Sequence, residues 1–529
     1  MAKKYITLVL TQYSIILLFL LFIGSGIVVS PFYGDINLID EGQFGAWVTH
    51  MLQGQHLYKD MYAAYGPFYI YPLYLLAKLF GPSVFLIRIV YIVLNVFFAV
   101  IVAQAVMQKL RVAYKLQLFA VFLLLVIPGF GMRQGEGLLT ILLVIEAFER
   151  KKIGWSILLG INLAIAFLVS SEIGIFSTTI VFLLFCYKSV TEKLGDVIYL
   201  KFLACATGIA LIFLPFFFWS MTEGWFFDYV HSVITDLSTF SGINLPNGQN
   251  FPAVVYSIPN TFSPMIWLKY LLSKQMLLYW LFFFYILVFS SLFVGYVLKQ
   301  SRKETMSIFI LFLFGFFLVT ILVGRSGHFP FILSPVIVFF AYFIDRAVKR
   351  LRVRQSPAGQ LFFFSIIVVI IVFSVRIVSL YRPHFVNVIS LPYAIIHRGA
   401  GVEYVGPIAL SVKQKQSLIS IQTFVARNTR PDEPVFFLNN EPMMYLLVNR
   451  RNPTRYDFPY IANSKEKRLE LLHDLRSAPP RYIFVDTSAW DVDGVSNWQR
   501  LPEIVSYAQQ FYKKVGNVGD IVVYLRKIQ

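Results

Sequence analysis

Long hydrophobic runs, separated by short polar segments, occupy the first 380 residues of the chain. A helix that crosses a bilayer needs about 20 consecutive, mainly apolar residues. Runs of this kind cover residues 8–30, 85–108, 116–131, 136–148, 153–170, 173–187, 199–219, 277–298, 306–323, 329–344 and 361–380. The pattern predicts a polytopic α-helical membrane protein with about eleven transmembrane helices, the first of which acts as a signal anchor.

The basic residues agree with this arrangement because they cluster in alternate loops. Lysine and arginine are concentrated at residues 3–4, 109–115, 150–152, 188–201, 299–303 and 346–354. With the spans above, every cluster lies on the same side as the N-terminus, as the excess of positive charge in cytoplasmic loops requires. We therefore expect a cytoplasmic N-terminus, an extracytoplasmic C-terminus and two long outer loops, at 31–84 and 220–276.

The amino-acid composition indicates which class of partner this chain contacts. Hydrophobic residues make up 57% of the 529-residue chain and charged residues only 14%, whereas about a quarter of a soluble chain is charged. The formal net charge of +18 would favour nucleic acid in a soluble protein. Here the basic residues lie in short loops, which favours anionic lipid headgroups. We expect membrane lipids and no nucleic acid as partners, and a bacterial plasma membrane as the location.

The last part of the chain has a different pattern. Its apolar runs are short, at 435–438, 482–485 and 521–525, and each is typical of a buried strand. Residues 465–476 have the pattern of an amphipathic helix. We predict a transmembrane domain over 1–380 and an extracytoplasmic α/β domain over 381–529.

Two adjacent carboxylates, Asp40 and Glu41, lie in the first outer loop. Hydrophobic residues follow them at helical spacing, namely Phe44, Trp47, Val48, Met51 and Leu52. This spacing predicts a helix that lies in the membrane interface with its apolar side toward lipid and Asp40 at its start. A structural alternative stays open, because Asp40 is also a good N-cap residue with Gln43 at the capping-box position.

Two short motifs come next, Leu-Tyr-Lys-Asp at 57–60 and Tyr-Gly-Pro at 65–67, and a further apolar stretch leads to the second span. A span, an Asp-Glu pair, an interfacial helix and these motifs follow in the order found in the GT-C superfamily of membrane glycosyltransferases. The chain therefore resembles that superfamily, especially its branch of protein mannosyltransferases and aminoarabinose transferases (glycosyltransferase family 39). The specific part of the resemblance covers residues 31–84.

The resemblance implies an activity and assigns roles to residues. Such enzymes move a hexosyl or pentosyl group from a polyprenyl-phosphate donor to a lipid, glycan or protein acceptor outside the cytoplasm. Asp40 would be the catalytic base, and Glu41 would support it or bind the acceptor. Lys59 is the candidate contact to the carrier phosphate, and Asp60 and Tyr65 are further candidates for substrate binding.

Charge that develops on the departing phosphate requires cations nearby. On the predicted outer side the candidates are Arg133, Arg325 and His328. Glu172, at a short turn between two spans, is a candidate for binding the acceptor. Structural alternatives exist for all four, because arginine extends to lipid headgroups, histidine forms structural hydrogen bonds and Glu172 suits an N-cap.

Two other polar clusters have competing interpretations. Asp228 and His231 in the second outer loop have a spacing compatible with metal binding, but no third ligand completes a site, and an interfacial helix is favoured. The segment Asn-Asn-Glu-Pro at 439–442 follows a predicted strand and either caps the next helix or binds a sugar. No cofactor is certain from the sequence, and a divalent metal ion is left open.

Two other functions fit the same architecture. A transporter or a flippase for lipid-linked sugars would place charged residues near the bilayer midplane and often show paired halves, whereas here they gather at one face and no repeat is present. An enzyme like the O-antigen ligases or polymerases would depend on arginine and histidine in a large later loop, but the loop 220–276 contains no arginine. Both remain alternatives to the glycosyltransferase.

Overall fold

The computed structural model describes residues 31–63, 65–126, 131–191, 195–239, 263–271, 337–338, 341–342, 344–346, 401–462, 464–486 and 496–527. Contacts divide the chain into two compact units. Of the described residues, the first unit contains 92–215 and the described parts of 249–388. The second unit contains 31–91, 216–239 and 401–527.

Helices dominate the described part of the chain. In chain order they are α1 (Asp40–Leu52), α2 (Pro67–Phe80), α3 (Val84–Val90), α4 (Phe98–Lys109), α5 (Tyr114–Val126), α6 (Met132–Glu149), α7 (Gly154–Val169), α8 (Ser171–Thr191), α9 (Gly195–Thr222), α10 (Phe226–Thr239), α11 (Pro264–Leu271), α12 (Val412–Asn428), α13 (Met443–Val448), α14 (Lys465–Ser477), α15 (Asn497–Arg500) and α16 (Pro502–Phe511). A π-helical segment, Tyr91–Phe97, lies between α3 and α4, and a 3₁₀ turn, Pro459–Ile461, precedes α14.

The first unit is a bundle of apolar helices in which α6 packs against α4, α7 and α8. Glycine brings two of its helices together, because a Cβ atom on Gly160 or Gly208 would overlap the backbone of the facing helix. Small residues allow membrane helices to approach closely in this way. A hydrogen bond of 2.9 Å from Asn162 Nδ2 to Thr140 Oγ1 adds a polar contact between α7 and α6.

Several predicted spans coincide with helices of the structure. By length and composition, three of the described helices could cross a membrane: Val84–Lys109, Ser171–Val190 and Asp196–Thr222. The shorter helices α5, α6 and α7 match the predicted spans 116–131, 136–148 and 153–170. The predicted spans 8–30, 277–298, 306–323 and 361–380, with most of 329–344, lie outside the described residues. The number of eleven therefore stays a prediction.

The tail contains a four-stranded sheet with the order β1-β2-β4-β3, formed by β1 (Phe436–Phe437), β2 (Tyr482–Asp486), β3 (Tyr512–Val518) and β4 (Ile521–Arg526). β1 and β2 are parallel, and the other pairs are antiparallel. The three predicted strands are confirmed, as is the predicted helix, which is α14. β3 was not predicted, because it is an edge strand whose middle residues are exposed and carry no apolar run.

The first outer loop belongs to the same unit as the tail. Helix α1 packs against α13 and α2, and it buries Trp47, Val48 and Met51 there. The prediction that the apolar side of α1 faces lipid is therefore wrong. Helix α2, in contrast, carries Leu75, Leu79 and Phe80 at the surface.

The Tyr-Gly-Pro motif starts α2. Gly66 is extended, with φ −66° and ψ 158°, and Pro67 is the first residue of the helix. Proline suits this position because its missing N–H would have no partner within the helix in any case. The motif therefore has a local structural role whatever else it does.

Candidate active site

Asp40 is the first residue of α1, and a neighbouring asparagine holds the start of the helix. The Asn37 Oδ1 atom accepts hydrogen bonds from the backbone N–H groups of Ile39 (3.0 Å) and Asp40 (2.9 Å). The Asn37 Nδ2 atom donates to Asp40 Oδ2 at 3.0 Å. The alternative in which Asp40 caps the helix is wrong, because Asn37 accepts those bonds and the Asp40 carboxylate is exposed.

Glu41 is tied to an arginine from α3. Arg88 Nε lies 3.0 Å from Glu41 Oε1, and Arg88 Nη2 lies 3.1 Å from Glu41 Oε2. Arg88 also donates to the backbone carbonyls of Gly34 (3.2 Å) and Asp35 (2.9 Å). Paired with arginine in this two-point geometry, Glu41 is held in place and its charge is balanced.

Arg88 was not predicted as a site residue, although the sequence contains a signal for it. The basic clusters lie on the predicted cytoplasmic side, whereas Arg88 lies at the predicted outer end of the span 85–108. A cation at that end of a span runs against the charge bias of membrane proteins. Such a residue is a candidate for pairing with an acid of the outer loop.

The tail contacts the approach to α1 and the helix itself. The Asp35 carboxylate accepts from the backbone N–H (2.8 Å) and hydroxyl (2.9 Å) of Ser411. A Cβ atom on Gly42 would lie 2.6 Å from the backbone nitrogen of Met443, and one on Gly45 would lie 2.9 Å from Met443 Sδ. These glycines therefore allow α1 to lie directly on α13.

The Leu-Tyr-Lys-Asp motif forms a turn that the tail also contacts. Tyr58 has a positive φ of 67°, which is rare for a residue other than glycine. Its carbonyl accepts from Arg455 Nη2 at 2.5 Å, and its hydroxyl donates to the Tyr65 carbonyl at 2.7 Å. The Asp60 carboxylate accepts from the His56 backbone N–H at 2.8 Å, so Asp60 closes the turn. Lys59 is exposed.

Aromatic rings lie beside the start of α1. The rings of Tyr65 and Phe44 are stacked, with 5.8 Å between centroids and 9° between planes. Tyr69 lies 5.1 Å from Tyr65, and Trp47 meets Tyr65 edge to face at 5.9 Å. Because Phe44 lies one helical turn after Asp40, this aromatic cluster begins next to the predicted base.

A second aromatic cluster surrounds Tyr58. Its ring lies 4.9 Å from that of Tyr229 and 5.7 Å from that of Trp225. Trp225 and Tyr229 are buried, and burial raises the pKa of the Tyr229 hydroxyl. The predicted helix is present here as α10, and its place in the membrane interface stays a prediction. Within the described part of the chain, no group of three His, Cys, Asp or Glu side chains is placed to hold a metal ion.

The remaining predicted site residues belong to the first unit or lie outside the described residues. Arg133 and Glu172 belong to the first unit, where they form an ion pair, and Arg133 Nε donates to Ser170 Oγ at 3.0 Å. Arg325 and His328 lie outside the described residues. The first unit therefore pairs two of the candidates with each other.

Side chains of the segment 439–442 form hydrogen bonds with residues of β2 and α15. None of these side chains caps α13. Asn439 Oδ1 accepts from the Asp486 backbone N–H at 2.5 Å, and the amides of Asn440 and Asn497 bond to each other. Glu441 is buried nearby. Its burial, the charge of Asp486 and a hydrogen bond with that carboxyl raise the pKa of Glu441 to about 8.

Solved structures share the fold of this chain. ArnT from Cupriavidus metallidurans in the apo state is 12% identical with a TM-score of 0.50, and the match covers 100% of both chains. The Archaeoglobus fulgidus oligosaccharyltransferase, solved with zinc and sulfate, is 13% identical with a TM-score of 0.50 over 92% of this chain and 69% of that one.

No family model matches the sequence, and no curated protein matches it. At these identities the likeness to the two solved structures concerns the fold. The chain shares the fold of these two proteins, which agrees with the resemblance inferred from the sequence.

Proposed function

We propose that the chain is a glycosyltransferase that moves a sugar from a polyprenyl-phosphate carrier to an extracytoplasmic acceptor, with Asp40 as the general base. One observation carries the proposal. Asp40 lies exposed at the start of a firmly held helix, while the adjacent Glu41 is engaged by Arg88. Among the described residues no cation pairs with Asp40. The pair therefore presents one carboxylate to the surroundings and uses the other to fix the helix.

The reaction follows from this arrangement. Asp40 accepts the proton of an acceptor hydroxyl as the hydroxyl oxygen attacks the anomeric carbon of the donor sugar. The bond between that carbon and the phosphate oxygen breaks, and the electron pair leaves with the lipid-linked phosphate. Asn37 orients the Asp40 carboxylate by its hydrogen bond to Oδ2. Glu41 supports the base by its tie to Arg88, which is one of the two roles that the resemblance implies for it.

The leaving phosphate needs a cation. Lys59 is the strongest described candidate, because it belongs to the same unit as Asp40, is exposed and has no ion-pair partner among the described residues. Arg133 would first have to separate from Glu172. Arg325 and His328 remain candidates from the sequence alone. We propose Lys59 as the donor-phosphate contact, with Arg325 and His328 as the alternatives.

The aromatic cluster of Phe44, Tyr65 and Tyr69 supports an acceptor or donor site beside Asp40. Ligand sites combine apolar and aromatic walls with a few polar groups that fix orientation. Tyr65 is a member of this cluster, which supports its predicted role in substrate binding. Asp60 is engaged with the backbone of its own turn, so we propose that it shapes the loop that carries Lys59.

Labelled polyprenyl-phosphate sugars supplied to membranes that contain the protein test the proposal. Wild-type protein should transfer the label to an acceptor, and Asp40→Asn should not, whereas Asp432→Asn, an exposed aspartate of the tail, should behave as wild type. Label that crosses the membrane without transfer would favour the flippase alternative. Wild-type transfer by Asp40→Asn in correctly inserted protein would remove Asp40 from the mechanism.

A further inference from the structure

The far end of α1 meets the tail through a buried pair of polar side chains. His50 Nε2 lies 2.8 Å from Asp457 Oδ1, and the two side chains are 2% and 1% exposed. Asn452 Nδ2 donates to the same Asp457 oxygen at 2.9 Å. The Tyr445 ring lies 5.7 Å from the His50 ring. A carboxylate and an imidazole therefore meet where the surrounding contacts exclude water.

The hydrogen bonds indicate which nitrogen of His50 carries the proton. Among the described residues, His50 Nδ1 and Asp457 Oδ2 have no hydrogen-bond partner. A carboxylate oxygen accepts hydrogen bonds, so the hydrogen between the two side chains is on His50 Nε2. The bond therefore runs from His50 to the carboxylate and fixes the direction of the ring.

This pair attaches α1, the helix that carries the proposed base, to the tail at a second point. Asp40 and His50 are ten residues apart, which corresponds to about 15 Å along a helix. Near Asp40, the Met443 backbone N–H donates to the Leu38 carbonyl at 3.2 Å, and Gly42 lies against Met443. Near His50, the attachment is the Asp457 carboxylate. A helix held at both ends can neither slide nor tilt on the tail.

A buried ion or dipole pair holds two elements in a way that apolar packing does not. Hydrophobic side chains of similar volume often stabilise a fold equally well, but their contacts are not directional. The bond from His50 to Asp457 has one productive geometry. Misplacing a catalytic group by about 1 Å is enough to lower a rate by about 10². For α1, the orientation set by this hydrogen bond therefore matters more than the strength of its packing on the tail.

We infer that His50 and Asp457 are positioning residues through which the tail aligns Asp40 for sugar transfer, without either side chain touching the substrate. The inference rests on the proposed function, because it assigns α1 the general base. It gives the tail a part in the reaction itself. His50 and Asp457 are 407 residues apart in the chain, so only the fold brings them together.

The test compares variants of the full-length protein in detergent or nanodiscs. His50→Leu and Asp457→Asn should lower kcat about tenfold or more, leave donor affinity within about twofold of wild type, and speed hydrogen exchange of the backbone amides at 40–52. His50→Gln, whose Nε2 can still donate to Asp457, should recover most of the rate. His473→Leu and Asp432→Asn change exposed residues of the same types and should match wild type.

A double variant, His50→Leu with Asp457→Leu, keeps the test decisive if a single variant fails to fold. It replaces the polar pair by apolar packing, and it should insert and bind donor normally yet still transfer slowly. Wild-type kcat in this double variant would overturn the inference. Wild-type kcat in His50→Leu, together with faster exchange at 40–52, would overturn it as well. So would unchanged exchange in His50→Leu. Asp40→Asn is measured beside them, because its full activity would refute the proposed base while the exchange data still report on the attachment.

Discussion

Glu41 and Arg88 form a two-point ion pair between the start of α1 and helix α3, with N···O distances of 3.0 and 3.1 Å. The Arg88 side chain is 8% exposed, and its remaining N–H groups bind the carbonyls of Gly34 and Asp35. The Arg88 guanidinium therefore fixes both the segment that precedes α1 and Glu41, the second residue of that helix. Asp40 lies between these two anchored points.

Arg88→Lys should disrupt this arrangement although it keeps the charge. An ammonium group is a compact point charge and cannot donate to two carboxylate oxygens and two carbonyls in a fixed fork. Hydrogen bonds to charged groups contribute roughly 1.5–3 kcal/mol, so we expect a loss in kcat of about tenfold or more. The exposed Arg427→Lys in α12 is the control. Equal transfer rates for the two variants would mean that the fork does not support the base.

Gly42→Ala should separate α1 from α13. The added Cβ atom would lie 2.6 Å from the backbone nitrogen of Met443, which cannot move aside as a flexible side chain can. Overpacking typically costs about 1–3 kcal/mol. Gly45→Ala should cost less, because its nearest neighbour is the Met443 sulfur at 2.9 Å. Gly154→Ala, with no atom within 4 Å of the added Cβ, is the control.

Thermal unfolding and transfer rate, measured together, check the glycine series. The expected order of stability is Gly154→Ala, then Gly45→Ala, then Gly42→Ala as the least stable. A Gly42→Ala variant with wild-type stability and wild-type rate would mean that α1 and α13 do not lie as closely as the structure has them.

Sequence patterns predicted the elements well where one physical signal dominated. Long apolar runs identified the helices that match predicted spans, and the apolar runs of 435–438, 482–485 and 521–525 identified three strands. β3 carries no such run, because its middle residues, 513–517, are exposed. The resemblance in 31–84 pointed from residue order to the fold that the two solved structures share with this chain.

The surroundings of α1 could not be predicted, because its partners are distant in sequence. The stripe of Phe44, Trp47 and Met51 indicates only that one face is buried, and lipid and α13 satisfy that pattern equally well. Gly42 and Gly45 allow close packing against another helix, but a pair of small residues does not identify that helix. The partners Met443 and Asp457 carry no signal of their own.

Arg133 and Glu172 should behave as a structural pair. Breaking a buried ion pair costs about 3–5 kcal/mol, and we expect less, about 1–3 kcal/mol, because both side chains retain some exposure. Arg133→Gln and Glu172→Gln should each lower thermal stability, and the double variant should recover part of the loss. If Arg133 instead binds the donor phosphate, Arg133→Gln will weaken donor binding while Glu172→Gln spares it.

The predicted topology can be checked through the chain's loops. Reporter fusions after residues 30, 275 and 400 should report an extracytoplasmic location, and those after 112, 190 and 352 a cytoplasmic one. The reason is the clustering of lysine and arginine in alternate loops. A reversed result at 112 or 352 would break the alternation on which the number of spans depends.

Glu441 should make the stability of the tail depend on pH. Burial first, and then the nearby Asp486, raise the pKa of Glu441 from 4.5 to about 8 in the folded protein. The folded state therefore binds the proton more tightly than the unfolded state does. A raised folded pKa gives stability that is fully present below pH 4.5 and is lost as pH rises through about 8. Each unit of difference is worth about 1.4 kcal/mol, so the loss across this window is on the order of a few kcal/mol.

Glu441→Gln removes this titration while keeping the shape of the side chain. The variant should lose much less stability than wild type between pH 5 and pH 9, and at pH 9 it should be the more stable of the two. Hydrogen exchange of the strands at 436–437 and 482–486, followed at pH 5, 7 and 9 after correction for the intrinsic exchange rate, measures the difference. Glu403→Gln, at an exposed position of the tail, should keep the wild-type profile. An unchanged pH dependence in Glu441→Gln would show that a different group in the tail takes up the proton.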